Sequence, residues 1–251
     1  MELIKISKNE KIWLKNKYPN LRFKKNFFKP TPKIVGNLEF DMSYDKKNSP
    51  YSIHYDNSYV LKGFRIKDSY QIEIILERSK LSLLPKVKET GNRILKIAEE
   101  RKLDQRDLHI DLNGFVCLCS RIKEKKYLPN GFNLEDFFHN LLIPFFYWES
   151  YFEKFNKEPW KHYSHGELGL LESYAEIEVV DKDVIEKILL DLKLSKNWEI
   201  YKDWLFKKGG NIQGHWDCLC GSSKEIRICH PKVFQGLWNL KEDIKNFLGE
   251  N

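Results

Sequence analysis

No uninterrupted apolar run in this 251-residue chain approaches the roughly 20 residues that cross a bilayer. The most apolar stretch, Leu141 to Trp148, is short and contains Pro144. The N-terminus, MELIKISKNEK, has neither a long apolar stretch nor a small-residue cleavage site. It therefore reads as no signal peptide, so no membrane partner is expected and the cytoplasm is the expected location. Internal repeats and low-complexity tracts are also lacking, and no motif that reads nucleic acid accompanies the net charge of +7. The basic residues fall in short, scattered clusters at Lys24-Lys25, Lys123 to Lys126 and Lys207-Lys208. They read as a solvated lysine-rich surface, and nucleic acid is not an expected partner. Cysteine is scarce too, with only five in two tight groups, Cys117/Cys119 and Cys218/Cys220/Cys229. That leaves none for a scattered disulfide framework and points to metal binding or catalysis.

What is present is an ordinary globular composition, 41% hydrophobic and 31% charged, with aromatics at 14%. The aromatic content predicts a sizeable core with ring packing. Ser7-Lys-Asn-Glu10 is a capping box that opens a helix running to about Tyr18, where Pro19 stops it. Leu38, Phe40 and Met42 alternate with polar residues and predict a strand over 34–44. Tyr59 to Ile66 and Tyr70 to Glu77 read as two more strands joined by a turn at Lys67-Asp68-Ser69. Leu83 to Glu89 adds a proline-started edge. Residues 92–106 are compatible with helix or loop, and Leu108 to Cys119 reads as extended with an Asn113-Gly114 turn. Leu134 to Phe155 predicts a long helix with Asn133 as N-cap, kinked or split at Pro144. Further helices are expected over 184–194, 198–207 and 233–248, with Gly209-Gly210 as a hinge.

The last cysteine group reads Cys218-Leu-Cys220, eight residues, then Cys229-His230. Three thiols and an imidazole at this spacing supply the four soft or borderline ligands of a tetrahedral zinc site. Four protein ligands leave no position for water, so the expected zinc is structural. The run CLCGSSKEIRICH resembles the SEC-C motif, the zinc knuckle at the C-terminus of SecA, whose pattern is C-x-C-x8-C followed by His or Cys. The family has Gly-Ser-Gly-Lys after the second cysteine, where this chain has Gly221-Ser222-Ser223-Lys224. The resemblance implies a small protein-docking platform.

Upstream, Asn113-Gly114-Phe115-Val116-Cys117-Leu118 follows a helix, a run of strands and Leu84-Pro-Lys-Val-Lys. In that order these pieces resemble the ubiquitin-conjugating enzymes, most of all their divergent bacterial relatives. The resemblance implies an α+β fold, an N-terminal helix plus an antiparallel four-stranded meander. It implies a thioester on Cys117, with an activating enzyme, a ubiquitin-like protein and a protein target as partners. His109, eight residues earlier, stands where the family has its oxyanion-stabilising asparagine, and there is no H-P-N tripeptide. Arg121, Lys123, Lys125 and Lys126 would favour the thiolate. The residues alone leave other readings open. Cys117 and Cys119 also read as small hydrophobes of a strand, or as a second metal pair with His109.

His165-Gly166-Glu167-Leu168-Gly169 is similar to a His-Gly-x-x-Gly element expected in the bacterial relatives. His165 would then act as a base on Cys117, oriented by Glu172; the alternative is a helix terminus with close backbone packing at the glycines. The expected organisation is a conjugating-enzyme-like region over 1–160, a helical extension over 161–208, and a zinc knuckle with a terminal helix over 209–251. The expected function is a zinc protein carrying a modifier on Cys117, or else a non-catalytic interaction module of the same build.

Overall fold

The structure, a computed structural model, describes residues 2–24, 31–48, 51–55, 63–80, 82–207 and 211–249. The chain is mixed α+β and divides into two units. One comprises Met1–Cys119 and Glu124–Lys161, the other Ser120–Lys123 and His162–Asn251. The expected hinge at Gly209-Gly210 and residues 59–62 of an expected strand lie outside the described residues.

The first unit starts with β1 (Glu2–Leu3) and helix α1 (Lys8–Lys17). The capping box forms as read. Ser7 Oγ accepts from the Glu10 N–H at 3.2 Å, and the Glu10 carboxylate accepts from the Ser7 N–H at 2.8 Å. The other Glu10 oxygen accepts from the Leu134 N–H at 2.9 Å, so one side chain serves two helix starts.

Then come β2 (Leu21–Lys24), β3 (Lys33–Tyr44), β4 (Tyr51–Ile53), β5 (Phe64–Ile75), β6 (Glu77–Arg78) and β7 (Lys86–Glu89). The antiparallel sheet runs β2-β3-β5-β7, with β4 also pairing β3, while β1 pairs β6. Leu38, Phe40 and Met42 are buried as their alternation predicts. The turn expected at Lys67-Asp68-Ser69 is not formed. β5 passes straight through, paired with β3 from Lys33↔Ile75 to Tyr44↔Phe64. Aspartate favours turns because its carboxylate can bond nearby backbone. Here that carboxylate accepts from the Ser69 N–H at 2.8 Å but is held mainly from outside the strand, by Arg93 at 2.9 and 2.8 Å and by the Ser150 hydroxyl at 2.7 Å. Burial alone would raise the Asp68 pKa; these bonds more than offset it and hold it below the usual range.

Residues 92–106, open to either reading, form helix α2 (Arg93–Arg101) and the start of a 3-10 turn (Gln105–Leu108). After α3 (Glu124–Tyr127), a continuous helical run begins with α4 (Leu134–Phe137), passes a π-helical turn (Phe138–Leu142) and continues as α5 (Ile143–Phe155). Asn133 caps it, its Oδ1 accepting from the Asp136 N–H at 3.1 Å. Pro144 neither splits nor ends the run. The wider turn just before it accommodates the carbonyls that a proline cannot satisfy. Phe146, Tyr147 and Trp148 are buried, and Phe146 packs on Tyr70 with ring centroids 4.6 Å apart.

The second unit is helical: α6 (Gly166–Tyr174), α7 (Lys182–Lys193), α8 (Trp198–Phe206), α9 (Ile226–Cys229) and α10 (Pro231–Leu248). Its core gathers Leu171, Ile185, Ile188, Leu192, Tyr201, Val233, Leu237 and Leu240, with Cys218 and Ile226 among them. α10 crosses α6 closely. A Cβ on Gly236 would lie 2.0 Å from the Leu171 carbonyl oxygen, so only glycine fits there.

Within α5, Glu149 is fully buried, and neither carboxyl oxygen has a hydrogen-bond partner among the described residues. Burial first, then the charges of Glu153 and Glu89, push its pKa well above the ordinary value of 4.5. The folded state thus keeps a proton that the unfolded chain gives up as pH rises past that value. Folding stability then falls as pH rises, by up to about 1.4 kcal/mol per pH unit, until the folded-state pKa is passed. Glu149→Gln should remove this slope. Thermal unfolding should show the variant more stable than the parent at about pH 8, with the gap closing towards about pH 4. A gap independent of pH would refute the assignment.

Candidate metal centre

The C-terminal cysteines converge because the chain folds back twice within a few residues. Cys218 N–H donates to the Lys224 carbonyl at 2.8 Å, and Ile226 N–H to the Trp216 carbonyl at 2.8 Å. Asp217 and Glu225 form an isolated antiparallel bridge between these bonds. The reversal needs left-handed backbone, which Gly221 supplies at φ 82° and Ser223 at φ 54°. The single turn of α9 then brings Cys229 round, and His230 sits immediately before Pro231, where α10 begins. Trp204 stacks on Trp216 at 4.8 Å, and Ile226 is fully buried, so the loop is anchored on both flanks.

The ligating atoms of Cys218, Cys220, Cys229 and His230 all lie within 4.8 Å of one another. Cys218 Sγ is 3.2 Å from His230 Nδ1, and Cys220 Sγ is 3.5 Å from Cys229 Sγ. A tetrahedral ion with metal–sulfur bonds of about 2.3 Å sets its ligands about 3.8 Å apart. The four residues therefore fit a metal ion and can hold one. The thiols also carry the electrostatic mark of such a site. Burial pushes Cys218 up to about 12, while hydrogen bonds, that of Ser222 first, bring Cys220 down to about 7. These opposite shifts belong to neighbouring thiols of one cluster. A bound cation would favour the deprotonated form of each ligand, since each must lose its proton to bind.

One participant, Ser222, occupies the serine of the family's Gly-Ser-Gly-Lys run, yet the sequence assigned it no role. The exposed Ser222 hydroxyl lies 3.1 Å from Cys229 Sγ and can support a thiolate there.

The upstream candidates fall into different units. His109 and Cys117 belong to the first, His165 to the second. The Asn113-Gly114 turn forms, with Gly114 at φ 75°, and Ile110 and Val116 bridge across it. Cys117 N–H donates to the His109 carbonyl at 2.8 Å, so the backbone brings the two residues side by side. The His109 ring packs edge-on against Trp148 at 6.2 Å. Cys117 is exposed, Cys119 half-buried, and both lie in irregular chain rather than on a strand. Crowding by neighbouring atoms, then the Asp111 charge, pushes the Cys117 thiol up. Two of the cations expected to favour the thiolate are engaged within the second unit. Arg121 pairs with Asp191 at 3.0 Å, and Lys123 pairs with Glu176 at 2.9 Å and with the Tyr163 hydroxyl. His165 is exposed at the start of α6, and the Glu172 carboxylate accepts from the Ser164 N–H and hydroxyl at 2.6 and 3.1 Å.

Ser222→Ala tests the centre without touching a ligand. It should weaken metal binding by about tenfold, measured in competition with a chromophoric chelator, and leave the circular dichroism spectrum unchanged. Unchanged affinity would mean that the hydroxyl plays no part in the centre.

In comparisons with known proteins, the chain matches no family model, no curated protein and no solved structure.

Proposed function

We propose that this chain is a zinc protein whose Cys218, Cys220, Cys229 and His230 centre is structural, and that it serves as a non-catalytic protein-interaction module. The observation that carries the reading is the convergence of three sulfurs and one imidazole nitrogen within 4.8 Å. Soft thiolates with an imidazole in tetrahedral array select zinc over harder divalent ions. With every position filled by protein, the ion has no site for water and no catalytic step to perform. Its work is mechanical. It would tie the exposed 220–224 loop to the head of α10, whose Val233, Leu237 and Leu240 form part of the core. The likeness of the run to the SEC-C knuckle supports docking of a protein partner.

The first unit supports a ubiquitin-conjugating-like build through its order of parts: N-terminal helix, sequential antiparallel strands, Asn-Gly turn, cysteine. The Cys117 thiol is shifted upward, by desolvation and then by the Asp111 charge, the opposite of the lowering that activates a cysteine nucleophile, and this favours the non-catalytic version. A second reading, thioester transfer through Cys117 with an activating enzyme and a ubiquitin-like protein, has the exposure of that residue in its favour. No helix among the described residues is long and apolar enough to cross a membrane.

Elemental analysis of carefully purified protein should find about one zinc per chain, and a metal-free folded protein would sink the zinc reading. Incubation with activating enzymes and ubiquitin-like modifiers should yield no hydroxylamine-sensitive adduct. An adduct that disappears in Cys117→Ala would replace the module with the transferase.

A further inference from the structure

The four ligand positions of the knuckle are not equally sheltered. Cys218 is only 4% exposed, and its sulfur faces His230. Cys220 is exposed and Cys229 half-exposed, with their sulfurs 3.5 Å apart. In a tetrahedron these two pairs are opposite edges: Cys218 is covered within the core, Cys220 stands at the surface, and Cys229 and His230 are half-exposed between them. The loop between the solvent-side cysteines, residues 221–224, is exposed throughout. A disulfide needs its sulfurs at about 2.05 Å, so closure is a movement of about 1.5 Å in the least constrained part of the knuckle.

The geometry points to Cys220 and Cys229 as a peroxide-responsive dithiol that exchanges the metal for a disulfide. This inference rests on the zinc reading above. The oxidant is a hydroperoxide, with hydrogen peroxide as the simplest member. The Cys220 thiolate attacks one peroxide oxygen, the O–O bond breaks, and Cys220 becomes a sulfenic acid while hydroxide leaves and takes a proton. The Cys229 thiolate then attacks the Cys220 sulfur. The S–S bond forms, the S–O bond breaks, and a second hydroxide takes a proton. In sum, two thiolates, one hydrogen peroxide and two protons give one disulfide and two waters. The sulfurs lose two electrons, and the O–O bond receives them. Cys218 and His230 are left as the only two ligands, too few for a structural zinc, and the ion departs. Cys218 escapes because its sulfur is covered.

The test uses the full-length, metal-loaded chain. Its metal content is measured first, and a chain without metal at this stage overturns the zinc reading and this inference with it. Hydrogen peroxide is then added in steps, with released metal read by a chromophoric chelator and disulfides mapped by peptide mass spectrometry. The expected result is loss of about one metal ion per chain. It should rise in proportion to a Cys220–Cys229 cross-linked peptide two hydrogens lighter than the reduced pair. A thiol reductant with added zinc should reverse both. Retention of the metal while Cys117 or Cys119 oxidises would overturn the inference and leave the zinc reading standing. So would a disulfide that includes Cys218.

Discussion

Asp68 lies on a strand between buried Ile66 and buried Tyr70, and it stays there because Arg93 reaches its carboxylate with two hydrogen bonds. The same guanidinium binds Glu153 on α5, and its plane lies over the Tyr70 ring at 4.5 Å. Arg93 thereby links β5, α2 and α5 through one planar, permanently charged group. The underlying constraint is general: a charge or polar group removed from water costs several kcal/mol unless matched. That constraint governs the architecture of both units. It straightens a segment whose residues favour a turn, and it makes Glu149, the unmatched case, hold its proton.

The metal centre obeys the same rule with a different partner. Three thiols and an imidazole are drawn within 4.8 Å of one another, and a divalent cation would supply the charge that matches their deprotonated forms. The backbone bonds between Cys218 and Lys224, and between Ile226 and Trp216, set the loop in place, so the ligands are already convergent. Pre-convergence lowers the ordering entropy that metal binding must overcome. The upstream cysteine is the contrast. Desolvation, and then Asp111 rather than a cation as its electrostatic neighbour, shift the Cys117 thiol upward.

Much of this was legible in the residues. The Ser7 to Glu10 capping box, the Leu38-Phe40-Met42 alternation and the Asn113-Gly114 turn are local patterns whose physics is complete within a few residues. The ligand set is legible for a related reason: the spacing and residue types of a metal knuckle are encoded in one short run. The strand through Lys67-Asp68-Ser69 was not legible, because the bond that straightens it comes from Arg93, 25 residues away. Nor was the short strand β2, which gains its place by pairing with β3 at Leu21↔Gly36.

By itself, then, the sequence determined the mixed α+β class, the helix starts at Lys8, Leu134 and Trp198, and the identity of four side chains that could hold a metal ion. Tertiary structure alone decided which sulfur of the knuckle is covered and which is exposed, that Glu149 has no hydrogen-bond partner among the described residues, and that the Cys117 thiol is shifted up rather than down. The division has a physical reason. Capping, alternation and ligand spacing are short-range properties of adjacent residues. Burial and charge matching depend on residues that meet only after the chain has folded, and those two quantities set the protonation and reactivity of every side chain considered for chemistry.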